Sequence, residues 1–389
     1  MPDTILRPPA GCPPQMFGAA IAAYGDRLLI GAPCLDYLMR LDEGIPAPAA
    51  ALFVRAGSGW ADCAVVHAAE PASAEGFGRS VALTDRFAIV GAPGHETGDA
   101  AAYVFRRNGN SLAPHAALPP PGHDPFGDVM IEYGASLACD DARLAVGAPL
   151  AFDGPPGDPD AALRGELHLF DMRANPPTPA GTRHGPQPDE DFARAVALSG
   201  DLMAVGAPGT FSNEQSAGAV YVFSRGADGE WRELCRLGGR DPGEEFGAAV
   251  ALDGARLAVG APGRADLPLA VGGRVDLFDI DASGCRPIGS CRDTPGFGRS
   301  IAMLGGRLAV GQPEWDAPNG TPRAGRVRLL HVNPAAALAD IGWLAAPGPA
   351  GAYARLGSAV ALGPDYVAAG APGLPGDDAS HGFVLVRPF

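Results

Sequence analysis

Apolar residues in this chain fall into short runs that recur in a fixed frame, and the runs are too heavily punctuated by glycine and proline to form long helices. The clearest copy opens at Phe246-Gly247 and continues through Val250-Ala251-Leu252, a turn at Asp253-Gly254 and a second run, Leu257-Ala258-Val259, to Gly260-Ala261-Pro262. The same frame opens at Phe17, Phe77, Tyr133, Phe192, Phe297 and Leu356, and its closing glycines are Gly31, Gly91, Gly147, Gly206, Gly311 and Gly370. From the second residue of the frame to the closing glycine is always 13 positions. Seven copies in one register define an internal repeat, and a single copy could not bury both faces of its own sheet.

Each run reads as a strand. Val81-Ala82-Leu83 and Val250-Ala251-Leu252 are apolar on both alternating faces, which predicts inner strands buried on both sides. A tight turn follows, and the second run stops at proline, which offers no ladder donor. Small side chains in both runs suit strands converging on an axis. After a variable loop comes a third run, as in Ala219-Val220-Tyr221-Val222-Phe223, and then a weaker fourth, as in Glu230 to Leu237, with Trp60 and Trp343 in similar places. The expected fold is therefore all-β: one seven-bladed β-propeller with four-stranded antiparallel blades at roughly 17–70, 77–120, 133–183, 192–239, 246–291, 297–346 and 356–389. The last repeat has no residues left for a fourth strand. Thr4-Ile5-Leu6-Arg7, within 3–8, is expected to supply it and close the ring. Phe126-Gly127 imitates a frame start but breaks the spacing, so Tyr133 opens the third repeat and 122–132 is an insertion.

Composition narrows the function. A net charge of −15 disfavours nonspecific binding to nucleic acid or anionic lipid. No uninterrupted apolar run approaches a membrane span, and the N-terminus lacks the basic-then-apolar pattern of a secretory signal. No lysine occurs, so every basic side chain is arginine. The seven cysteines lack C-x-x-C spacing and indicate neither a zinc site nor a full disulfide framework. Cys139 is expected as a small buried residue of an inner strand, and Cys285 and Cys291 as free thiols, with a local bridge between them the alternative.

The repeated Phe-Gly and Gly-Ala-Pro resemble the FG-GAP repeat, the propeller repeat of integrin α-subunits and many bacterial surface proteins. The resemblance spans almost the whole chain. It implies a binding role, and an extracellular or cell-surface location. Where integrin-type repeats carry an Asp-x-Asp-x-Asp-Gly calcium loop, this chain has only a tight turn such as Gly305-Gly306, too short for the oxygen ligands calcium needs. No metal and no cofactor are expected. The segment Phe152 to Asp160 holds three carboxylates but two prolines, a poor calcium loop.

In the family's geometry, the loops between strands 2 and 3 and between strands 4 and 1 share one face. Here those loops are long and dissimilar, whereas the 1-to-2 turns are nearly uniform, so ligand recognition is expected on that face. Arg79, Arg194 and Arg299 stand two residues after the frame's aromatic in repeats two, four and six, at the mouth of the central channel. They either converge on an anion or pair with acids such as Asp189 or Glu245 of neighbouring blades and brace the ring. Tyr37, Phe152, Phe211 and Trp315, the last beside Asp316, are loop aromatics that suit sugar or peptide binding, or else anchor their loops. There is no G-x-S-x-G, H-E-x-x-H or P-loop, and His95, His123 and His381 are scattered. The expected protein is a monomeric, noncatalytic binder of a glycan or protein ligand. A structural platform for a partner subunit is the first alternative, and an enzyme acting at the channel mouth the second.

Overall fold

The computed structural model describes residues 3–33, 47–69, 76–94, 100–121, 132–151, 163–209, 216–264, 272–333, 338–346, 353–373 and 382–389. Their strands form seven four-stranded antiparallel sheets arranged as a propeller. The inner strands are Ala20–Tyr24, Ser80–Leu83, Ser136–Cys139, Ala195–Ser199, Ala249–Asp253, Ser300–Leu304 and Ala359–Leu362. Each pairs with a second strand: Arg27–Ala32, Phe87–Ala92, Arg143–Ala148, Leu202–Ala207, Arg256–Ala261, Arg307–Gln312 and Tyr366–Ala371. Third strands are Ala49–Ala56, Ala101–Asn108, Glu166–Asp171, Ala219–Arg225, Arg274–Asp281, Arg326–Val332 and Phe383–Pro388. Outer strands are Gly59–Val66, Ser111–Leu118, Thr178–His184, Trp231–Gly238, Gly284–Arg292 and Leu338–Ala345, and blade 7 takes Thr4–Leu6 as its fourth.

Closure is as the ends of the chain suggested. Thr4, Ile5 and Leu6 pair with Val386, Leu385 and Val384, and Asp3 accepts hydrogen bonds from Arg387 at 2.8 and 2.6 Å. Each inner strand contacts the inner strand of the next blade, the seventh meeting the first. In blades 1 to 6 the pairing between third and outer strands slips by one residue at the same point, just before Phe53, Phe105, Phe170, Phe223, Phe278 and Leu330. Such bulges sharpen the right-handed twist that each blade needs.

The frame's glycines hold blades together. A Cβ at Gly260 would lie 2.2 Å from the carbonyl oxygen of Gly298, the second residue of the next blade's frame. The equivalent closing glycines of the other six frames meet the next blade's backbone at 2.0–2.2 Å in the same way. Contact between the closing glycine and the next opening is thus the seam between blades, and it explains why two dipeptides so far apart recur together.

Burial corrects two expectations. In blade 5 the second strand, not the first, is the fully buried one: Leu257, Ala258 and Val259 are sealed, whereas Val250 and Leu252 of the inner strand are half-buried; in blade 7 the inner strand Ala359–Leu362 is buried throughout. Inner strands face the channel, so their alternation is masked by small side chains rather than by complete burial. Cysteine pairing also differs. Cys285 is bonded to Cys235 across the seam between the outer strands of blades 4 and 5, and Cys291 is free. The outer strands of neighbouring blades come together there, a proximity that spacing along the chain does not reveal. Cys139 is half-buried on an inner strand.

Candidate functional site

A repeated turn builds the channel mouth. The residue before each frame's opening residue has positive φ: Met16, Gly76, Glu132, Asp191, Glu245, Gly296 and Arg355. Its carbonyl accepts a hydrogen bond from the backbone N–H three residues on, at Ala19, Arg79, Ala135, Arg194, Ala248, Arg299 and Ser358, with lengths of 2.8–3.2 Å. Every blade therefore presents two equivalent rim positions, the first of them glycine in blades 2 and 6. In most repeats one or both of these are charged.

Two of the three arginines brace the ring. Arg194 reaches back from blade 4 to Glu132 of blade 3 at 2.5 Å, and Arg299 from blade 6 to Glu245 of blade 5 at 3.1 Å. Glu132, not Asp189, is the partner of Arg194. Arg355 of blade 7 makes a third such pair with Glu314 of blade 6 at 3.0 Å. Arg79 is exposed and has no ion-pair or hydrogen-bond partner among the described residues. Though open to solvent, its guanidinium is crowded by surrounding protein, and this desolvation lowers its pKa; Glu132 acts in the opposite sense, and Arg194, Arg299 and Arg355 lower it further. Arg79 on blade 2 is thus within electrostatic reach of guanidinium groups on blades 4, 6 and 7.

Beside the mouth, between blades 5 and 6, lies an open cavity of about 840 Å³. Arg299, Trp315 and Asp316 line it together, along with Glu245, Glu314 and Arg323. Its wall is built by a departure from the repeat. Gln312 stands where the other frames have alanine, and it is fully buried. Gln312 Nε2 donates to the Thr294 carbonyl at 3.0 Å and to its hydroxyl at 2.7 Å, and Gln312 Oε1 accepts from Arg326 Nε at 2.8 Å. Arg326 also pairs with Asp293 at 2.8 Å and lies over the rings of Trp315 and Trp343 at 4.7 and 4.0 Å. Desolvation lowers its pKa, opposed by Asp293. Trp315 is thereby both a loop anchor and a cavity wall.

Next to the cavity, Glu244 is locked in place. Arg274 donates to both its carboxylate oxygens and also to Asp276 at 3.0 Å, and all three residues are buried, with exposures of 3, 1 and 5% for Glu244, Arg274 and Asp276. This fixes the backbone from which Glu245 projects. Tyr37, Phe152 and Phe211 lie outside the described residues, as do His95, His123, His381 and the Phe152–Asp160 segment. Arg355 and Gln312 were missed by sequence reasoning. Their signals were a charge immediately before the frame's opening residue and a lone polar residue inside Gly-Ala-Pro.

The architecture and its seam define a repeat propeller of seven blades. A family model described as FG-GAP repeat matches residues 60–105 and 185–223. With one frame in all seven blades, the chain is an FG-GAP repeat propeller. No curated protein matches the sequence. Among solved structures, the fold is similar to a candidate 6-phosphogluconolactonase from Bacteroides uniformis, with TM-score 0.56 and 13% identity over 84% of this chain and 85% of that one. It is also similar to a protein from Lactobacillus plantarum, with TM-score 0.53 and 13% identity over 84% of each chain. At such identity the likeness concerns the fold alone.

Proposed function

We propose that this propeller is a noncatalytic binding protein that takes a glycan or protein ligand on its mouth face, with the cavity between blades 5 and 6 as the main contact. The observation that carries this reading is the convergence of Trp315, Asp316 and Arg299 on one open cavity beside the channel. An indole wall next to carboxylate and guanidinium groups offers apolar area for stacking and polar groups for orientation, the combination that sugar and peptide sites use. The bond between Cys235 and Cys285 favours an oxidising, extracellular setting. The name of the Bacteroides relative does not bring its activity here, because nothing in this cavity names a reaction.

The test is a glycan panel titrated against the wild-type protein and Trp315→Ala, followed by tryptophan fluorescence and calorimetry. Saturable binding that weakens at least tenfold in Trp315→Ala supports the reading. Binding unaffected by Trp315→Ala overturns the cavity assignment, and co-purification with a single protein that binds elsewhere on the ring would favour the platform role.

A further inference from the structure

The mouth follows a pairing rule with one exception. An arginine two residues after a frame's opening aromatic reaches back to the residue that precedes the previous blade's frame. Arg194 thus meets Glu132, and Arg299 meets Glu245. Applied to Arg79 of blade 2, the rule points to residue 16 of blade 1, where Met16 stands with the same positive φ as Glu132 and Glu245. Met16 is buried and cannot accept an ion pair.

Among the described residues, the rim arginines therefore do not all find an acid. Arg194, Arg299 and Arg355 have Glu132, Glu245 and Glu314, one acid each. Asp191 holds the same place in blade 4, but it is buried and already has an interaction of its own, and the rule would pair it with Ala248. Arg79 is left exposed, without a partner among the described residues and within electrostatic reach of Arg194, Arg299 and Arg355.

We propose that Arg79 is the receptor for a carboxylate group of the bound ligand, which takes the part that Glu132 and Glu245 play for Arg194 and Arg299. A carboxylate fits because both neighbouring pairs use one, and a planar guanidinium binds it with fixed geometry. Arg194 and Arg299 already hold glutamates, so the ligand's carboxylate goes to Arg79, while Arg299 keeps its place in the cavity wall. The site deepens the binding reading above, since it names a charge on the ligand, but it rests on different side chains from the Trp315 wall.

Calorimetric titration at low salt with two sources of the same group tests it, glucuronate and N-acetylglutamate, against their neutral counterparts glucose and N-acetylglutamine. The carboxylates should bind at least tenfold more tightly than the neutral compounds, and the stronger of the two identifies the source as acidic sugar or acidic peptide. Arg79→Gln should abolish this preference. Met16→Glu should abolish it too, with Arg79 intact, because the new side chain pairs with Arg79, whereas Met16→Gln should retain it. The readout here is the ratio of charged to neutral binding, whereas the cavity reading is judged by Trp315→Ala on the glycan panel, so the two failures are separable. Equal binding of charged and neutral compounds, or a Met16→Glu protein that still prefers carboxylates, overturns the proposal.

Discussion

At the scale of single residues, the buried charges near the mouth carry the largest energetic stakes. Arg274 satisfies Glu244 through two hydrogen bonds and Asp276 through a third, in a place with almost no access to water. Removing one partner strands the others, which in buried pairs costs about 3–5 kcal/mol. Glu244→Ala is therefore expected to destabilise the fold by about that amount in a urea melt, and a loss under about 1 kcal/mol would show that water replaces the carboxylate. The backbone seam is equally exacting. Ala193 replaces the frame's glycine in blade 4 and sits at φ 68°, whereas the six glycines at that place lie at 91–96°. Gly260→Ala has no such escape, because its Cβ would meet the Gly298 carbonyl, and it should destabilise by at least about 2 kcal/mol.

At the scale of elements, the clasp strand decides whether the array is a ring. Thr4–Leu6 covers the edge of Phe383–Pro388, which would otherwise present unpaired backbone groups. Deleting residues 1–10 should lower the melting temperature sharply and promote aggregation; an unchanged melt would deny the strand this role. The clasp is also acid-sensitive. Hydrogen bonds from Arg387, outweighing desolvation, hold Asp3 below its ordinary 3.8. Glu244 is shifted down as well from 4.5: desolvation raises it, but the hydrogen bonds from Arg274 and the Arg240 backbone win. A carboxylate with a depressed folded pKa contributes stability that is complete above its ordinary pKa and disappears as pH falls through the folded value. Melting temperature should therefore be flat down to about pH 5 and fall below about pH 4. Arg387→Gln should blunt the part due to Asp3.

At the scale of the whole molecule, the ring distributes its cohesion over seven seams, and one carries a covalent tie. Cys235 and Cys285 are 50 positions apart and lie on different blades. Closing a loop of that length removes denatured-state entropy worth about 4 kcal/mol in the chain-entropy model. Reduction, or Cys235→Ser, should lower stability by a comparable amount without changing the far-ultraviolet dichroism of the native ring. If the melt is insensitive to reductant, the bridge does not help hold blades 4 and 5 together.

Much of the fold was legible in the sequence because the seam is built from backbone contacts. The closing position admits only glycine, so it recurs there in all seven blades, while the opening position keeps glycine in six and takes Ala193 in the fourth, and that spacing determined the number of blades. The rim arginines could also be placed from their frame positions. What no linear pattern reveals is which side chains of different blades meet. Sequence separations of 62 between Glu132 and Arg194, 54 between Glu245 and Arg299 and 50 between Cys235 and Cys285 become contacts only when the ring closes. Tertiary structure alone decided that two arginines are braces and that Arg79 has Met16 where its counterparts have an acid. It also decided that Trp315 leans on Arg326, because electrostatic pairing depends on distances across seams, not on position in the repeat.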